Sequence, residues 1–179
     1  CKEYEEYARM REAIAGYKKP VFFELFAATD RAFFEKMARA LPNFTVEISM
    51  ESHDERVRRA FGRPYSNQDI ENTIDYALEA GGQRFDLFFM TGIKEQTFES
   101  VMGTVEYSRQ MLKRYSHNGE NRVVPFISPM APFLDPGSQA FEEPEKHGYR
   151  LFARTLEEHR QLLVAPSWKV LAAPAASVS

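Results

Sequence analysis

Short bursts of apolar residues recur along this chain, each followed by a longer stretch with helical periodicity. The segments Val21–Phe26 (VFFELF), Thr45–Glu51 (TVEISME), Phe85–Met90 (FDLFFM) and Val123–Ser128 (VVPFIS) have the length and content of strands. Successive side chains on a strand point to opposite faces. In the second segment Val46, Ile48 and Met50 therefore share one face, and Glu47, Ser49 and Glu51 the other. In the third, Asp86 shares a face with Phe88 and Met90, opposite Phe85, Leu87 and Phe89. Glu24 lies between Phe22 and Phe26 in the first. Strands covered by helices on both faces are almost wholly apolar. Carboxylates on successive strands thus predict a sheet with one face lining a polar cavity, as inside a barrel that holds a ligand.

Between the strands the period changes to that of helices. Residues 2–17 carry Tyr4, Tyr7, Met10 and Ile14 at helical spacing, and Gly16 and Pro20 end the run. Asp30 is placed to cap a helix that buries Phe33, Phe34, Met37 and Leu41. Ser66 and Asp69 form a capping-box pair before Ile70, Ile74, Ala77 and Leu78, and Gly81-Gly82 stops that helix. The helix from Thr97 to about Tyr115 is expected to bury Phe98, Val101, Val105 and Leu112, and a last helix is expected from about Gly148 to Leu163. Strands alternating with amphipathic helices define an α/β fold with parallel strands and outer helices, a partial (β/α) barrel of the TIM-like type. Two connections, Ser52–Tyr65 and Pro129–His147, are long and follow the C-terminal ends of strands, where α/β folds place their sites. Residues 1–168 are assigned to the barrel portion and 169–179 to a disordered tail. A sheet of so few strands cannot close a barrel of the usual size and keeps two open edges, so the chain reads as part of a larger barrel.

Composition narrows the classes. The chain has 179 residues, 44% hydrophobic and 27% charged, ordinary for a single globular domain. A net charge of −3 gives no broad footprint for nucleic acid, and no apolar run approaches a membrane span. The single cysteine, Cys1, excludes an internal disulfide and points to a reducing cytoplasm. It also excludes an iron–sulfur cluster held by several cysteines of this chain alone. The four histidines, His53, His117, His147 and His159, have no metal-ligand spacing, and no nucleophile elbow or Walker loop occurs.

The blocks VEISMESHDERVRRAFGRPYSNQDIENTIDYALEAG (46–81) and RFDLFFMTGIKEQTFESV (84–101) resemble the later half of a radical S-adenosylmethionine (SAM) barrel. With VVPFISPMAPFLDPGSQAFEEPEKHGYRLFARTLEEHR (123–160), they resemble the cobalamin-binding branch of those enzymes. The resemblance implies a barrel that binds a 4Fe–4S cluster through a CxxxCxxC motif and cleaves SAM reductively to a 5′-deoxyadenosyl radical. It implies that Glu24, Ser49, Glu51 and Asp86 face SAM, and that Arg63 binds the SAM carboxylate. Gly92 would form the turn along which adenine lies, and Ile127 would be an apolar adenine contact. The chemistry of SAM suits such groups: its ribose and ammonium donate to carboxylates, and its carboxylate calls for an arginine.

The chain also departs from the family. It has no CxxxCxxC, no strand-two motif for the SAM amino group and no cobalamin-binding region, and Lys94-Glu95 stands in the glycine turn. The missing part of the barrel, or a companion chain, is the implied partner. Two other readings remain open at this point. One is a non-catalytic interaction module that pairs through its open edges; the other is a different (β/α) enzyme using Glu24, Glu51 and Asp86 as acid–base or metal-binding groups. Glu47 reads as an edge or salt-bridging carboxylate, His53 as an exposed loop residue, and DERVRR (54–59) as a solvated helical turn.

Overall fold

A computed structural model describes residues 6, 9, 19–41, 43–129 and 134–163. The chain divides into two compact units, residues 1–129 and 130–179. In the first, strands β1 (Val21–Leu25), β2 (Phe44–Glu51), β3 (Arg84–Thr91) and β6 (Val123–Pro129) form a parallel sheet in the order β1-β2-β3-β6. Helices α1 (Arg31–Ala40), α2 (Glu55–Ala60), α3 (Asn67–Glu79) and α4 (Phe98–Arg114) connect them. The hairpin β4 (Ser116–His117) and β5 (Glu120–Asn121) turns through Asn118 and Gly119, both with positive φ, as a two-residue hairpin demands. Among the described residues the sheet is open, and β1 and β6 are its edges.

One face of the sheet is dry. Phe23, Leu25, Val46, Ile48, Met50, Phe85, Leu87, Phe89 and Val123 are buried against α1, α3 and α4, the alternation the sequence predicts. Asp30 caps α1 through the Phe33 amide, and α1 buries Phe33, Phe34 and Met37. The Ser66–Asp69 capping box opens α3, which buries Ile70, Thr73, Ile74 and Ala77 and ends before Gly81 at φ 102°. Gly82 must be glycine for packing, because a Cβ there would meet Ala77 O and the Phe44 ring at 2.8 Å.

Three expectations are corrected. Helix α4 does not bury Phe98, which is 74% exposed; it turns Ser100, Thr104, Tyr107, Ser108 and Met111 inward. The hydroxyls of Thr104 and Ser108 donate to carbonyls one turn back, so small polar residues are satisfied at a close contact. The DERVRR run is a helix, but Arg58 is fully buried rather than solvated. The last helix, α6 (Leu156–Leu163), starts at Leu156, just after Thr155, instead of about Gly148. There the Thr155 hydroxyl accepts from Glu158 N, and the Glu158 carboxylate accepts from the Arg154 and Thr155 amides. The short helix α5 (Gln139–Glu142) precedes it within the second unit. Of the helix expected over residues 2–17, Glu6 and Arg9 are helical and the other positions lie outside the described residues, as does the tail at 169–179. No described helix is long and apolar enough to cross a membrane.

Candidate functional site

The second face of the sheet is polar, and the strand register arranges it in rows. Phe22, Thr45 and Arg84 form one row. Glu24, Glu47, Asp86 and Val124 form the next, and Ser49, Phe88 and Phe126 the third, with Phe26 beyond the end of β1. Neighbouring strands are about 4.8 Å apart, so three carboxylates stand side by side across β1, β2 and β3. Two of them have partners from the flanking rows. Arg84 forks onto Asp86 with Nε–Oδ1 2.6 Å and Nη2–Oδ2 2.7 Å, and the Ser49 hydroxyl donates to Glu24. Glu47 makes no hydrogen bond or ion pair among the described residues, so the expected salt bridge is not formed. Partial burial, with Glu24 and Asp86 on either side, pushes its carboxyl above the ordinary glutamate value.

At the C-terminal end of β2 the ladder breaks. The register with β3 shifts between Ser49 and Glu51, a bulge that re-aims the strand's last side chain. Glu51 takes φ 64°, and the Ser52 amide donates to the Met50 carbonyl at 2.7 Å, closing a tight turn around it. A left-handed glutamate is strained, and such strain gathers at functional positions. The Glu51 side chain is 3% exposed and accepts from Arg63 Nη2 at 3.3 Å. Its Oε2 and the Nε of Arg63 are both buried without a hydrogen-bond partner. Burial raises the Glu51 carboxyl above its ordinary value against the lowering effect of Arg63, and the charges of Glu24 and Glu47 add to the rise.

Arg63 is carried there by a buried scaffold. Arg58 donates from Nη1 to Ser52 O at 2.9 Å and to Asn67 Oδ1 at 2.8 Å, and from Nε and Nη2 to Tyr65 O. It thereby ties the two ends of the 52–65 connection together. The Arg63 amide donates to Arg58 O, and the guanidinium lies 5.0 Å above the Phe26 ring. Tyr65 reaches Ser49 O with its hydroxyl at 3.3 Å, and burial holds that phenol up at about 12.

The proposed residues are therefore not all in one place. Glu24, Ser49 and Asp86 share the polar face, and Glu51 and Arg63 meet at its C-terminal edge. Gly92 follows β3 with φ 89°, its amide donating to Gln96 Oε1 at 2.8 Å while Gln96 Nε2 holds Met90 O. Ile127 pairs with Phe89 and so belongs by alternation to the opposite face from Asp86. His53 is half-buried on the helix side, with Nδ1 2.9 Å from Thr104 Oγ1. Arg84 was missed as a site residue, although its place two residues before Asp86 put it on the same face.

A buried carboxylate oxygen and a buried guanidinium N–H, both unpaired and adjacent, form a cradle for a ligand carrying a donor and an acceptor. SAM fits, since it offers ammonium and ribose donors together with a carboxylate. A 4Fe–4S cluster does not fit the residues present, because the chain contains one cysteine. The polar-faced parallel sheet with its site at the strand C-termini defines an α/β ligand-binding domain. The model of the radical SAM superfamily matches residues 2–108, and the chain belongs to that superfamily, whose chemistry depends on SAM and a 4Fe–4S cluster. An uncharacterized protein of Methanocaldococcus jannaschii is 28% identical over 98 residues, covering 55% of this chain and 21% of the relative. The chain thus spans about a fifth of the length of that curated relative. The family match ends before Val123, so the 123–160 block, which carries the resemblance to the cobalamin branch, lies beyond it.

Proposed function

We propose that this chain supplies the SAM-contacting strands of a cobalamin-dependent radical SAM enzyme. The observation that carries the reading is the strained, buried Glu51, whose Oε2 lacks a partner beside the equally unsatisfied Nε of Arg63. In this reading Arg63 takes the carboxylate of SAM, and Glu51 accepts from its ammonium or ribose. Ser49, Glu24 and Asp86 line the adjoining wall, and the Gly92 turn borders the adenine. When bound beside a reduced cluster, SAM is the source of a 5′-deoxyadenosyl radical. The residues of this chain bind and orient it, and the cluster cysteines and the cobalamin site belong to another part of the protein or to a companion chain joined at the open edges. The chain alone is inactive in reductive SAM cleavage. A reducing cytoplasm suits a chain without disulfides that works beside a redox-sensitive cluster.

Calorimetric titration of the chain with SAM tests this. Saturable binding is expected, weakened about tenfold or more by Glu51→Gln or by Arg63→Ala, as loss of a charge-assisted bond predicts. Binding unchanged by both Glu51→Gln and Asp86→Asn would refute the site.

A further inference from the structure

Arg63 is fixed at its root and loosely held at its tip. It stands between Gly62, at φ 87°, and Pro64, which biases it towards extended backbone, and its amide donates to Arg58 O at 3.0 Å. Beyond that root runs a long side chain with many rotamers. Among the described residues its tip makes one hydrogen bond, from Nη2 to Glu51 Oε1 at 3.3 Å, long for such a bond. One bond places one atom and leaves the guanidinium free to roll about it. Arg84 has no such freedom, because its Nε and Nη2 together grip Asp86 at 2.6 and 2.7 Å. In Arg63 the same edge is half used, with Nε buried and without a hydrogen-bond partner.

The second hold on this tip is Phe26. The guanidinium carbon lies over its ring at 5.0 Å from the centroid, within the distance of a cation–π contact. Phe26 directly follows β1 and by alternation shares the face of Glu24. It is 53% exposed, so little of the ring is spent on the core. A phenylalanine ring carries no hydrogen-bonding atom. It can therefore hold a guanidinium in place without taking an N–H away from a ligand, whereas a carboxylate in that position would close the free edge. The Arg63 side chain is 22% exposed, and the attraction between cation and ring strengthens as water is excluded.

We propose that Phe26 is a positioning residue of the site: its ring sets the plane of the Arg63 guanidinium, so that the free Nε–H stays aimed at the carboxylate of the bound ligand. This rests on the SAM reading for the identity of that carboxylate, but the two are separable by experiment. SAM and decarboxylated SAM serve as probes, the second keeping the adenosine, sulfonium and ammonium and lacking the carboxylate. In calorimetry of the full chain, Phe26→Leu is expected to weaken SAM about fivefold while changing decarboxylated SAM by less than about twofold. Phe26→Tyr, which keeps a ring face, is expected to bind SAM within about twofold of the parent. In an Arg63→Ala background Phe26→Leu is expected to have no further effect. The proposal is overturned if Phe26→Leu binds SAM as the parent does, if it weakens both ligands alike, if its effect survives Arg63→Ala, or if Phe26→Tyr loses as much as Phe26→Leu. A double-mutant cycle of Phe26→Leu and Arg63→Ala in urea denaturation needs no ligand. Coupling there in a chain that binds no SAM would sink the SAM reading and leave Phe26 as the support of Arg63. Additive effects would overturn that support whatever the chain binds.

Discussion

Arg63 and Glu51, twelve residues apart, meet through one hydrogen bond of 3.3 Å that leaves an atom of each side chain buried and unpaired. Arg84 and Asp86, on the same sheet, show what a completed pair looks like, with two bonds of 2.6 and 2.7 Å. The difference is that one pair is satisfied within the sheet and the other keeps unused hydrogen-bonding capacity. The single bond forms where the register of β2 against β3 shifts, between Ser49 and Glu51.

The open pair has a pH signature. Burial raises the folded-state pKa of Glu51 above the ordinary value of 4.5, so the folded chain keeps this proton to higher pH than the unfolded chain does. As pH rises through 4.5 the unfolded state loses its proton first and is favoured, and stability falls until the raised folded value is passed. Glu51→Gln, which cannot ionise, escapes that loss. It is expected to be more stable than the parent near pH 8, with the difference vanishing below pH 4.5. Urea unfolding across pH 4–8 reads this directly, and a variant less stable at pH 8 would contradict it.

The completed pair behaves in the opposite way. Asp86 is 2% exposed and depends on the Arg84 fork, so Arg84→Ala strands a charge in the sheet. A loss of about 2–3 kcal/mol is expected, the lower end because Arg84 is itself half in solvent. The double variant Arg84→Ala/Asp86→Asn is expected to recover at least half of it in chemical denaturation. No recovery would mean that Arg84 acts through its packing on Phe126 instead.

Arg58 links the fold to the site. Its guanidinium satisfies Ser52 O, Tyr65 O and Asn67 Oδ1 from a fully buried position, and Arg63 hangs from the end of its helix. Lysine supplies one cationic nitrogen where two edges of a fork are used. Arg58→Lys is therefore expected to cost about 2–4 kcal/mol and to weaken SAM binding although residue 58 touches no ligand. Thermal unfolding and SAM titration of the same variant check both halves.

The strands and their two-faced character were legible because a period of two is written directly into TVEISME and FDLFFM, and burial follows it except at Ser49, Glu51 and Asp86, polar positions that are buried as well. The capping box at Ser66 and the stop at Gly81 were equally local. What the sequence concealed depends on contacts between distant segments. The buried face of α4 sets Ser100, Thr104 and Ser108, which hydropathy ranks as surface, beside Tyr107 and Met111, because a helix lying close to its neighbours needs small residues as well as greasy ones. Arg58 looks like one of three exposed arginines until the 52–65 connection folds its carbonyls around it. Ile127 matched a family position, yet the register of β6 against β3 assigns it to the other face. The bulge at Glu51 leaves no mark in the residue pattern, since the alternation of TVEISME continues through it.

The closest approach on α4 yields the last prediction. Gly103 faces the His53 ring so tightly that a Cβ would come within 2.6 Å of Cε1 and 2.7 Å of Nε2. The ring cannot retreat freely, because Nδ1 is held by the Thr104 hydroxyl at 2.9 Å and the Tyr107 ring lies 6.1 Å away. Helix propensity alone would make Gly103→Ala stabilising by about 1 kcal/mol. The clash reverses the sign, and a loss of about 1–3 kcal/mol is expected, as for overpacking in a core. Shortening the histidine removes the obstacle, so His53→Ser/Gly103→Ala should be more stable than Gly103→Ala alone. A double-mutant cycle by urea denaturation measures the coupling, and additive effects at the two positions would show that the ring moves aside at no cost.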